Sequence, residues 1–228
     1  MSGEPPHAQH EPAGPDGAGR ATETRFAGSA RTIVGLVVVV QVLAIVVSLQ
    51  LSVAPYLDEA GRFGVHAAEV VAVALYAIVA LLALAAWRAG RPRLAIRLLG
   101  LYLVVLTLQL VAYVLLLVVG MGRADDQPLW YLGDLVSVLL LDIAVFSTWY
   151  WIIDTVTPGG AFSFPPRRDT KWAPGLVDYV FLSFNTTATF GPTTEMPVDA
   201  KAKLAMMLQT TLALAVLIVL ASRIVARV

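Results

Sequence analysis

The sequence predicts an all-α integral membrane protein with five transmembrane helices and a re-entrant helix between the fourth and the fifth. Three observations lead there. Of the 228 residues 58 % are hydrophobic and 14 % are charged, against about 45–50 % and about 25 % in an ordinary soluble domain. Five long stretches are nearly free of charge, and crossing a hydrocarbon core of ~30 Å takes about 20 mostly apolar residues in a helix. One further segment, Asp178 to Pro197, is aromatic and apolar in its first half but too short and too rich in hydroxyls to cross alone.

Residues 1–30 hold Pro5, Pro6, Pro12 and Pro15 among Gly, Ala and scattered charges, with no apolar period to bury, and are expected to form a disordered tail. This acidic, Pro-rich start lacks the basic region and short apolar core of a secretory signal, so the first apolar segment is expected to be retained. Residues 31–122 form a three-helix transmembrane region: Thr32 to about Val53, Val70 to Trp87, and Leu98 to Gly120. The second and third are joined by Arg88-Ala-Gly-Arg-Pro-Arg93, with Arg97 just beyond, a basic turn of the kind that links antiparallel helices on the cytoplasmic side.

The second half, residues 130–228, reads as an outer helix at 130–153, a loop at 154–176, a helix and turn at 177–197, and an uninterrupted apolar helix at 204–222. Trp130, Tyr131, Trp149, Tyr150 and Trp151 sit toward the ends of the outer helix, as interfacial aromatic belts do. Pro158, Gly159, Gly160, Pro165, Pro166 and Pro174 break the loop too often for a span. Non-helical backbone at membrane depth is tolerated only where protein buries it or a watery cavity receives it. A half-helix running into a polar turn therefore implies an enclosed polar site.

The residues of that turn carry a resemblance. The frame Thr189-Phe190-Gly191-Pro192-Thr193-Thr194-Glu195-Met196-Pro197 is similar to the Thr-Val-Gly-Tyr-Gly-Asp filter of tetrameric potassium channels, with its proline three residues after the Asp. Thr186, Thr187 and Thr189, the glycine Gly191, the trailing Pro197 and the apolar helix after it match. The resemblance covers roughly residues 130–228 and implies their pore module: outer helix, pore helix, filter, inner helix. The segment also looks like that of uncharacterised bacterial potassium-channel-like membrane proteins. The filter is degenerate. Thr193 stands at the second glycine position, and Pro192, with φ fixed near −65° and no N–H, replaces the tyrosine. A row of ion-stripping carbonyls is therefore not expected; a turn lined by Thr186, Thr187, Thr189, Phe190, Gly191, Pro192, Thr193, Thr194 and Glu195 is. In a tetramer Glu195 gives a ring of carboxylates, which favours cations without choosing strongly among them.

The expected function is passive cation permeation through a homotetrameric pore in the cell membrane, with a monovalent cation as the permeant ion and membrane lipid as the surrounding partner. The alternative is a non-conducting membrane protein that keeps the module for assembly or partner binding. A proton-coupled carrier using Asp142 is a third reading, because an acid in mid-span is by default functional. Asp142 is expected either to act so or to bond Ser, Thr, Gln109, a tryptophan N–H or Arg97, while Gln41 and Gln109 are expected to bond across helices. His66 and Glu69 are read as solvated at the interface, and Asp154 and Asp169 as acids without a matching partner. Enzyme chemistry lacks parts: there is no cysteine, no nucleophile or acid–base pair stands out, and the three histidines, two of them in the tail, argue against a metal site. The zero net charge argues against nucleic-acid binding.

Charge also bears on sidedness. With the N-terminus in the cytoplasm, Arg20, Arg25, Arg31, Arg88, Arg91, Arg93, Arg97, Arg167, Arg168, Lys171, Lys201 and Lys203 fall inside, against Arg62, Arg123, Arg223 and Arg227 outside. Five spans then make the re-entrant segment enter from the cytoplasm, the opposite of a potassium channel.

Overall fold

The computed structural model describes residues 30–52, 59–120, 128–165, 174–189 and 195–225. The expected tail before Ala30, Asp169 and the turn residues Phe190 to Thr194 lie outside them. Six helices run in chain order among the described residues: α1 (Ala30–Ser52), α2 (Glu59–Arg88), α3 (Pro92–Gly120), α4 (Pro128–Val156), α5 (Leu176–Thr189) and α6 (Ala200–Val225). Four of them, α2, α3, α4 and α6, are long and apolar enough to cross a membrane; α1 carries a shorter apolar stretch, Val37–Leu51. The chain is thus an all-helical, membrane-embedded protein.

Local chemistry sets the breaks. The α2–α3 connection is a Schellman turn: Arg91 N donates to Ala86 O at 2.9 Å and Gly90 N to Trp87 O at 3.0 Å, with Gly90 at φ +70°, the left-handed position that glycine takes at least cost. Pro92 then opens α3, where its missing N–H leaves no bond unmade. So short a link makes α2 and α3 antiparallel. Two carboxylates start the later helices. The Asp178 carboxylate accepts from Gly175 N at 2.7 Å, and that of Asp199 from Lys201 N at 2.8 Å, each satisfying an N–H that a helix start leaves open.

Between α4 and α5 the chain turns at Thr157–Gly160, where Gly160 N donates to Thr157 O at 3.0 Å and Gly159 and Gly160 have φ of +84° and +90°. It then forms a two-residue strand β1 (Phe162–Ser163), antiparallel to β2 (Met196–Pro197), with Phe162 opposite Pro197. Val198 N extends the pairing by donating to Ala161 O at 2.9 Å.

α4 is the hub, packed on α1, α3, α5 and α6. Within the span windows, 67 % of α4 is buried but only 17 % of α2, whose Val70, Val71, Leu75, Ile78, Leu81 and Leu82 point outward. Lipid is as apolar as leucine, so helices in a bilayer are held by close packing and interhelical hydrogen bonds rather than by expulsion of water. The first three helices show such bonds. Tyr102 Oη donates to Gln41 Oε1 at 3.0 Å, Tyr76 Oη to Gln109 Oε1, and Gln109 Nε2 to Tyr113 Oη, the use expected of both glutamines. Glu69 is a correction. It is 6 % exposed and bonds Ser48 instead of standing in water, because α2 begins well before the apolar run and carries Glu69 inward against α1, leaving His66 exposed.

Candidate functional site

The polar residues of the second half converge at the middle of α4. Asp142 is 3 % exposed, and its Oδ2 accepts from Thr187 Oγ1 of α5 at 3.1 Å and from Gln209 Nε2 of α6 at 3.2 Å. Gln209 is 0 % exposed. Its amide nitrogen also lies 2.8 Å from Ser183 Oγ, 2.8 Å from Thr187 Oγ1 and 3.2 Å from the carbonyl oxygen of Ser183, while its Oε1 accepts from Tyr150 Oη. The Ser183 hydroxyl donates to Ile143 O of α4 at 2.9 Å. Three helices thus meet on one buried network.

A second cluster closes the end of α4. Asp154 Oδ1 accepts from Ala161 N at 2.6 Å and Phe162 N at 3.0 Å, and Oδ2 from Tyr179 Oη of α5 at 2.6 Å. Asp154 thus has hydrogen-bond donors at both carboxylate oxygens. Phe162 and Tyr179 continue into an aromatic column: Tyr150 against Phe162 at 5.2 Å between ring centroids, and Phe164 against Tyr179 at 5.6 Å. Together these contacts tie the first turn of α5 and the strand pair to the end of α4.

The expected lining residues divide. Thr186 Oγ1 donates to Leu182 O at 2.8 Å and is fully buried; Thr187 bonds Asp142 as above. Both hydroxyls are used within the chain. Glu195 is 7 % exposed, so in the single chain it does not stand open to water. Thr189 ends α5, and Phe190, Gly191, Pro192, Thr193 and Thr194 lie outside the described residues. Of the two intramembrane polar residues singled out, Asp142 belongs to the network and Gln109 does not: it bonds Tyr76 of α2 and Tyr113 of α3. Neither Gln109 nor Arg97 partners Asp142.

Gln209 is the residue the sequence reading missed. The last helix is not uninterrupted in its apolar character; it carries one buried amide between Leu208 and Thr210. The signal was an amide in mid-span facing the question of what satisfies Asp142. Ser183 was missed likewise, and Tyr150, read from the sequence as part of an interfacial belt, is instead fully buried in the network.

No protein-family model, no curated protein and no solved structure matches the chain. The functional reading therefore stands on its own residues.

Proposed function

We propose that the chain is the subunit of an oligomeric pore passing monovalent cations passively and with weak selectivity, built of five spanning helices with α5 re-entrant. One observation carries the reading: α5 is 14 residues long, about 21 Å at 1.5 Å per residue and short of the hydrocarbon thickness, yet the chain that follows is paired at Met196–Pro197 with Phe162–Ser163, beside the start of α5. A segment that leaves one end of the bundle and is back there by residue 196 suits a re-entrant loop better than a span.

One such loop does not enclose an axis, so several copies, four by the channel resemblance, are needed to close a pore. Phe181, Phe184, Met207 and Ile218 are exposed on α5 and α6 of the single chain and offer the contact surface. The test is cation flux into proteoliposomes, with potassium and sodium in parallel. Thr189→Val and Glu195→Gln are expected to abolish it while assembly is unchanged. No flux from a folded, oligomeric protein overturns the proposal.

A second reading has an observation of its own. The hydroxyls of Ser183, Thr186 and Thr187 are all bonded inside the chain, as they would be in a non-conducting protein that keeps the module as a scaffold for assembly or partner binding.

A further inference from the structure

The amide nitrogen of Gln209 occupies an unusual place. Four oxygens surround it at 2.8–3.2 Å: Ser183 Oγ, Thr187 Oγ1, Ser183 O and Asp142 Oδ2. A primary amide has two protons, so it cannot serve four acceptors fully. The hydroxyls do not help it, because each has its proton directed elsewhere. Ser183 donates to Ile143 O and Thr187 to Asp142 Oδ2, which turns the lone pairs of both oxygens toward the nitrogen.

Charge points the same way. The partners of Asp142 are Thr187 and Gln209, both neutral, and its second oxygen, Oδ1, is buried with no hydrogen-bond partner. A buried acid here is either held neutral by a proton or matched by a counter-charge, since an isolated buried carboxylate is strongly disfavoured, and a bound cation is the second of these. A backbone carbonyl, two hydroxyls and a carboxylate are also the oxygen donors that hard cations take.

We infer that Asp142, Ser183 and Thr187 form a binding site for a dehydrated monovalent cation of potassium size, and that the Gln209 amide is a plug which holds the site in the ion's absence. The spacing selects the class. Magnesium and calcium need oxygens at about 2.0–2.1 Å and about 2.3–2.6 Å, closer than the cradle around the nitrogen provides, and a divalent ion would face a single carboxylate. When the ion enters, the Gln209 side chain turns aside and gives up its bond to Tyr150. The site lies within one chain, on α4, α5 and α6, so it does not rest on the pore reading: a protein that passes no flux still binds the ion.

The experiment uses the purified full chain in detergent micelles, with rubidium as the potassium stand-in. Thermal unfolding and equilibrium binding of radiolabelled rubidium are measured at constant ionic strength, made up with N-methylglucamine and compared with sodium. Wild type is expected to gain a saturable rise in Tm with rubidium that sodium does not reproduce. Gln209→Ala removes the competing group and should bind rubidium about tenfold more tightly, since an occupied site lowers apparent affinity by the fraction that is open. Asp142→Asn should lose the rubidium response, and Thr187→Val, which keeps the carboxylate, should weaken it about tenfold, equal to about 1.4 kcal/mol. If Asp142→Asn does not fold, Thr187→Val decides. Identical behaviour of wild type and Gln209→Ala in all three salts overturns the inference, as does an undiminished response in Asp142→Asn or in Thr187→Val.

Discussion

Asp154 accepts three hydrogen bonds from three different donors, two of them backbone N–H groups of the loop that follows α4. A bond to a charged acceptor contributes about 1.5–3 kcal/mol, and donors left buried without a partner cost more than the bond itself. Asp154→Ala is expected to lower stability by about 3 kcal/mol and Tyr179→Phe, which deletes one donor, by about 1 kcal/mol; reversible unfolding in mixed micelles measures both. Equal losses would mean that the backbone bonds contribute nothing. At this scale the sequence was half legible. That Asp142 and Asp154 need partners follows from a carboxylate in or beside an apolar run, but who answers them does not. The donors to Asp154 are main-chain groups, which no residue type advertises, and a tyrosine 25 positions away. Gln209 hides in the opposite manner, its amide diluted in any hydropathy window by the apolar residues around it.

Among the elements, connections written in residues with special backbone needs were the most readable. Gly90-Arg91-Pro92 spells a left-handed helix end followed by a helix start, and the turn forms there. Helix starts were less so. α2 and α6 begin ahead of their apolar runs because a helix extends beyond the lipid-facing stretch to its cap, here Asp199 for α6. The glycines allow a graded test. Gly90→Ala meets open space and bears only the left-handed strain, about 1–2 kcal/mol. Gly160→Ala adds to its φ of +90° a Cβ only 3.1 Å from Asp154 Oδ1. It should therefore lower Tm by more than Gly90→Ala does. A smaller loss at Gly160 would show that the Asp154 carboxylate can withdraw without consequence.

For the whole molecule, alternating directions through α2, α3 and α4 bring the basic turn at 88–93 to the end of the bundle that carries the β1–β2 pair and the start of α6. Charge bias would place that end in the cytoplasm and the channel resemblance would place it outside, so either one of the two fails or the module is inverted. The chain has no cysteine, and Arg91→Cys and Val198→Cys are both exposed positions. An impermeant maleimide is expected to label both from the same face of sealed vesicles; labelling from opposite faces would contradict the alternation. The order of synthesis gives the Asp142 network a further meaning. Asp142 leaves the ribosome long before Gln209, 67 positions earlier, and α5 brings Ser183 and Thr187 before their shared amide exists. Until α6 arrives, Asp142 has the Thr187 hydroxyl but not the amide, and the Ser183 and Thr187 oxygens lack the nitrogen that joins them. Completion of this polar network is therefore expected to wait for α6.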